Sequence, residues 1–190
     1  MERKYAWHNY DDATMEKVYA LSDTYRQFLD NGKTERECVV QAVEFAEAKG
    51  YVNLNDIIKS NTSIKAGDKI YYTHMDKSIA LFNIGTDDIE LGMNILGAHI
   101  DSPRIDVKQN PQYEDSNLVF WDTHYYGGIK KYHWVAMPLA IHGVVVKTDG
   151  TRININIGDK ESDPVFCITD LLPHLGQEQM QKNAAKVIEG

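Results

Sequence analysis

Cysteine is scarce in this chain. Cys38 and Cys167 lie far apart in unrelated contexts with no Cys-x-x-Cys pairing, so they read as reduced thiols of a cytoplasmic protein, each expected as a buried small residue. No apolar run approaches the roughly 20 residues of a membrane span. The amino terminus, Met1-Glu2-Arg3-Lys4-Tyr5-Ala6-Trp7-His8, has no apolar core behind its charged start and does not read as a signal peptide. A basic excess is missing too. The net charge of −8 argues against nucleic acid or an anionic membrane surface as the main partner. Internal repeats, low-complexity tracts and long flexible linkers are also absent. What remains is an ordinary soluble composition, long enough for one domain or two small ones.

Two amphipathic helices open the chain. Asp11 or Asp12 caps the first, and Val18, Leu21, Tyr25, Phe28 and Leu29 form an apolar stripe, expected as core, before Asn31-Gly32 ends it. Thr34 and Glu37 form a capping-box pattern for the second, whose apolar face is Val39, Ala42, Val43 and Ala46 and whose close is Gly50. The period then changes from helical to alternating. Residues 69–73 and 78–84 read as a hairpin, 93–98 as a buried strand, and 104–108 as half-exposed strand. Further strands are expected over 118–126, 141–147 and 152–157, the last two joined through Thr148-Asp149-Gly150. Thr169-Asp170 is expected to cap a short helix holding Leu171, Leu172 and Leu175, and 177–188 is helix-prone. The order predicts an α/β piece over 1–103 and a mainly β piece over 104–190.

The chemistry concentrates in Ile95-Leu96-Gly97-Ala98-His99-Ile100-Asp101-Ser102-Pro103. An apolar strand-like run ends at two small residues and presents His99, with Asp101 two positions on and Pro103 as a stop. A metal site needs such a pair: one nitrogen ligand, and a carboxylate that fixes the ring's tautomer. The same pattern suits a hydrogen-bonded structural histidine, and the spacing leaves both readings open. A second copy, His74-Met75-Asp76, falls between two strand-like runs and reads as a solvent-facing hairpin turn. His124, His133 and His142 read as satisfied or solvent-facing rings, and His8 as a surface residue. Gly127 and Gly128 serve a turn or close backbone approach, or a subunit contact.

Several blocks together carry a resemblance. Gly97-Ala98-His99-Ile100-Asp101-Ser102-Pro103-Arg104 resembles the first metal-ligand motif of the aspartyl aminopeptidase / vacuolar aminopeptidase I family of zinc metallopeptidases. Tyr125-Tyr126-Gly127-Gly128-Ile129-Lys130-Lys131-Tyr132 with Trp134 is similar to its Tyr-Gly-Gly segment in bacterial form. Asp163-Pro164-Val165-Phe166 and Thr169-Asp170-Leu171-Leu172-Pro173-His174-Leu175 resemble a later block, in the same order, and Tyr25-Arg26-Gln27-Phe28-Leu29-Asp30 also fits.

The resemblance implies a zinc-exopeptidase α/β catalytic domain interrupted by a β-rich oligomerisation domain. It implies two zinc ions that polarise the scissile carbonyl, hold the substrate's amine and activate water to release amino-terminal residues from peptides. By resemblance His99 is a zinc ligand, Asp101 the carboxylate that orients it and tunes the metal, and His174 a contact to a neighbouring subunit's active site. The family's remaining ligands include an adjacent Glu-Glu pair, and this chain has no Glu-Glu dipeptide. The expectation is therefore an amino-terminal portion of a cytoplasmic homo-oligomeric enzyme, holding at most a partial zinc site and inactive alone. The rivals are a non-catalytic oligomerisation scaffold, a zinc amidohydrolase acting on non-peptide amides, and a small-molecule-binding protein with a structural His99. The peptidase reading fails if the His99 ring is walled off with both nitrogens held by backbone.

Overall fold

The computed structural model describes residues 4–188. The backbone divides between Asp101 and Ser102 into two compact units.

In the first unit, α1 (Asp12–Asn31) starts where the Asp11 carboxylate accepts the Thr14 N–H at 2.8 Å. α2 (Glu35–Ala48) begins with a complete capping box. The Thr34 hydroxyl accepts the Glu37 N–H, and the Glu37 carboxylate accepts the Thr34 N–H at 2.9 Å. It stops where Gly50 takes φ +82°, a left-handed conformation that favours glycine. Then follow β1 (Val52–Asn53), α3 (Leu54–Lys59), β2 (Lys69–His74) and β3 (Ser78–Asn83). β1 runs parallel to β2, and β2 antiparallel to β3. Nothing in the sequence pattern had marked β1 or α3.

α2 lies on β2 and β3. Cys38, Val39 and Ala46 of α2, with Ile70 and Tyr71 of β2, are the buried hydrophobic residues among those described. The Tyr71 hydroxyl donates to the Glu47 carboxylate at 2.7 Å, and Arg36 donates to the Met75 carbonyl at 2.9 Å, tying α2 to the hairpin. The α1 stripe departs from expectation. Leu21 and Tyr25 are 70% and 59% exposed, so they are not core. Of the ties between α1 and α2, Gln41 to the Phe28 carbonyl (3.1 Å) and the Phe28–Phe45 stack both fall at the carboxyl end of α1. The stripe upstream gains little cover from them.

The expected strand over 93–98 is not formed either. Residues 93–98 are irregular and Leu96 is fully exposed. A strand needs a ladder partner, and the three strands of this sheet pair only with one another among the described residues.

In the second unit, β4 (Arg104–Asp115) pairs antiparallel with β5 (Leu118–Tyr126), with an irregularity between Val107 and Gln112. Ser116 and Asn117, at φ +52° and +61°, make the tight reversal between them. β6 (Ile141–Val146) and β7 (Arg152–Ile157) form the second hairpin, in which Asp149 accepts the Thr151 N–H at 2.8 Å and Gly150 takes φ +84°. Trp121 stacks on Phe166 at 5.3 Å, and Phe166 bridges Leu139.

Three expectations fail here. Residues 171–175 are a single turn rather than a helix, because Asp170 is used by the Leu171 N–H and by Gln179, and Pro173 has no N–H to give. Helix α4 covers only Gln177–Met180, and further on the Asn183 side chain takes the Ala185 N–H that a continuing helix would use. Cys167 is exposed, not buried; Cys38 is buried as expected.

Candidate metal-ligand segment

His99 lies on the irregular stretch that closes the first unit, with its side chain 83% exposed. Its Nδ1 is 2.9 Å from the main-chain oxygen of Asp101 and 3.3 Å from Asp101 Oδ1. A carbonyl oxygen can only accept, so in that hydrogen bond Nδ1 is the donor. Nε2 makes no hydrogen bond among the described residues, and the ring is not walled off. One ring nitrogen held by an oxygen and the other exposed is an arrangement compatible with ligation through Nε2. The main-chain partner is invisible in a sequence, which names only the carboxylate.

A zinc site needs three protein ligands if catalytic and four if structural. Among the described residues, no group of three or more His, Cys, Asp and Glu side chains is placed to hold a metal. The residues present do not fit a complete zinc site; they offer one imidazole and a neighbouring carboxylate.

The other histidines divide as their contexts suggest. His74 is exposed at the end of β2, and Met75 and Asp76 turn back at φ +51° and +58°. His142 is nearly buried, with Nε2 3.2 Å from Asp159 Oδ1, so its ring is satisfied inside the fold. His124 Nδ1 meets the Tyr125 carbonyl oxygen at 3.1 Å, and His133 packs edge-on against Tyr132. His174 is exposed on the 173–175 turn. Gly127, at φ +73°, brings its backbone against Pro103, where an added Cβ would sit 3.4 Å from Pro103 Cα. An open groove of about 670 Å³ in the first unit is lined by Lys49, Asp56, Ser60, Asp68 and Lys69 among others, and has neither histidine nor cysteine in its wall. No helix among the described residues is long and apolar enough to cross a membrane.

Comparison with known proteins defines the class. The family of aminopeptidase I zinc metalloproteases (M18) matches residues 28–189, and the chain belongs to that family. It is 52% identical over 189 residues to a probable M18 family aminopeptidase 1 of Clostridium acetobutylicum, covering all of this chain and 41% of that protein. The crystal structure of aminopeptidase I from C. acetobutylicum superposes with a TM-score of 0.85 over the whole chain and 42% of its own length, at 52% identity. The M18 aminopeptidase structure from Thermotoga maritima gives 0.87 at 44% identity, covering 98% of this chain and 39% of that one. The chain thus spans about two fifths of the length of these relatives. The mixed α/β architecture read from the sequence is the one these structures share over the matched part.

Proposed function

We propose that this chain is the part of a zinc-dependent aminopeptidase that carries its first metal ligand, in an enzyme releasing amino-terminal residues from peptides. His99 binds zinc through Nε2, and Asp101 tunes the metal with its carboxylate. The single observation behind this is the His99 ring, held at Nδ1 by an oxygen with Nε2 unpaired and open to solvent. Two zinc ions then require ligands from polypeptide beyond the described residues. The partners are peptides rather than nucleic acid or membrane, and the setting is cytoplasmic. The second unit is an oligomerisation domain, supported by exposed apolar residues such as Val119, Tyr113 and Val146 on its strands. His174 reaches a neighbouring subunit's active site from this domain.

Zinc content per chain and hydrolysis of aminoacyl para-nitroanilides test this. The 190-residue chain should hold no full zinc equivalent and turn nothing over. The longest polypeptide encoded in frame with it should bind two zincs and turn over. There, His99→Ala should lose zinc and reduce activity more than about 100-fold. Unchanged zinc and activity in His99→Ala would overturn the assignment. The absence of a three-donor cluster favours a second reading, a non-catalytic scaffold of the same family. It predicts that the longest polypeptide also lacks zinc and turnover.

A further inference from the structure

We infer that Arg104 clasps the open end of the β4–β5 hairpin and is thereby a positioning residue for the segment that carries His99 and Asp101. The reversal at Ser116 and Asn117 closes the far end of this hairpin. The irregularity between Val107 and Gln112 cuts the ladder, so the pairs from Arg104–Tyr126 to Val107–Thr123 are separated from that reversal. A short ladder at an open end frays unless its side chains hold it. Arg104 does so in two directions. It stands opposite Tyr126 across the strands, with its guanidinium carbon 4.1 Å from the centre of the Tyr126 ring. Its Nε also donates to Asp106 Oδ1 at 2.7 Å, from the next position on the same face of β4. The Arg104 and Asp106 side chains are both part-buried, which limits screening of the pair. A planar guanidinium stacks and donates at once, whereas an ammonium is a point charge without that fork. One position outward on each strand, the Gly127 backbone lies against Pro103 and continues the closure. The chain is therefore held from Pro103 onward. Between it and Asp101 stands only Ser102, confined to extended conformations as the residue before a proline. The clasp belongs to the second unit alone; its use in positioning the segment rests on the peptidase reading above.

Amide hydrogen exchange of the 190-residue chain, read residue by residue by NMR, tests the clasp. Arg104→Lys keeps the charge and loses the planar stack. It should speed exchange of the protected amides over 104–107 and 123–126 about fivefold, the population change one cation–π contact sustains. Protected amides beyond the irregularity, over 113–115 and 118–120, should keep their wild-type rates, which separates loss of the clasp from loss of the fold. Tyr126→Leu should act as Arg104→Lys does, and Tyr126→Phe, which restores the ring face, should stay within about twofold of wild type. Wild-type rates in both Arg104→Lys and Tyr126→Leu would overturn the clasp, as would equal acceleration on both sides of the irregularity. Should either variant lose its folded spectrum, Asp106→Asn removes the charge partner at constant size and should accelerate the same amides and no others. A separate arm reads the positioning role. In the longest in-frame polypeptide, Arg104→Lys and Tyr126→Leu should lower kcat on aminoacyl para-nitroanilides with KM unchanged, and Tyr126→Phe should restore it. An unchanged kcat would overturn the positioning role and leave the clasp standing. A wild-type polypeptide without turnover would end the peptidase reading and the positioning role with it, and the exchange result would stand apart from both.

Discussion

Gly32 is where the helical part of the first unit has least room. A methyl group placed there would lie 2.8 Å from Cys38 Sγ, 2.8 Å from Gln41 Nε2 and 3.0 Å from the Phe28 carbonyl oxygen. Carbon does not approach atoms that closely, so something must move. The Phe28 carbonyl belongs to the last turns of α1, and Cys38 is only 7% exposed. Gln41 is the softest of the three, yet its amide donates to that same carbonyl at 3.1 Å. The Cys38 thiol in turn donates to the Gly32 carbonyl at 3.6 Å. Gly32→Ala therefore acts on the joint between α1 and α2. Overpacking costs about 2 kcal/mol, and each disturbed hydrogen bond about 1 kcal/mol. The stiffer unfolded chain returns about 0.7 kcal/mol. The net loss is about 3 kcal/mol, or about 15 °C in Tm for a unit of this size.

Urea and thermal unfolding of the full chain, followed by helical circular dichroism, measure this directly. The steric argument also fixes a coupling. In a Gln41→Ala background one of the three obstacles is gone, so the double variant should be less destabilised than the two singles together by at least about 0.5 kcal/mol. Gly32→Ala as stable as the wild type, or more stable by the unfolded-chain effect alone, would refute the close approach.

The hydrogen bond to the Glu47 carboxylate, with burial second, raises the Tyr71 phenol above its ordinary value of 10. The neutral phenol is thus favoured in the fold, and its stabilisation is present below pH 10 and lost as pH rises through the folded value. Desolvation, then Glu37 and Glu35, raises the Cys38 thiol above 9.0, with the same sign. The urea midpoint should hold to about pH 9 and fall above it; Tyr71→Phe should lower the midpoint at neutral pH and flatten part of that alkaline fall. Asp11 behaves oppositely: its hydrogen bonds with Thr14 lower its pKa below 3.8, so its contribution is present above that value and disappears as acid protonates it. Asp11→Asn keeps an N-cap oxygen and should retain helicity at neutral pH while losing this part of the acid dependence, read by circular dichroism down to about pH 2. At the β4–β5 reversal, Asn117→Gly should stabilise by up to about 1 kcal/mol, since a left-handed φ of +61° costs glycine nothing. A loss of stability there would show that the asparagine side chain supplies more than its conformation.

Local signals were legible wherever the physics is local. The capping box at Thr34 and Glu37, the Asp11 cap and the reversal at Asp149-Gly150 all follow from side chains acting within four residues. What depends on a distant partner was not legible. The α1 stripe has the spacing of a core face and is largely exposed, because periodicity says which side is apolar and not what covers it. β1 is two residues long and exists only because β2 runs beside it. Residues 171–175 have helical composition, yet one aspartate and one proline redirect their backbone.

The two His-x-Asp sequences draw the same boundary at the site itself. Both offer an imidazole and a carboxylate at identical spacing, so composition cannot separate them. Their flanks can. Strand-forming residues on both sides of His74 commit Met75 and Asp76 to left-handed φ values, and the segment is consumed by a chain reversal. His99 is preceded by Gly97-Ala98, which have little side chain to obstruct the ring, and followed by Ser102-Pro103, which keeps the chain from turning helical. There the Asp101 carbonyl oxygen comes within 2.9 Å of Nδ1 and the ring stays exposed rather than consumed by a reversal. What sets the two histidines apart is therefore the backbone path their neighbours permit, which no count of imidazoles and carboxylates reveals.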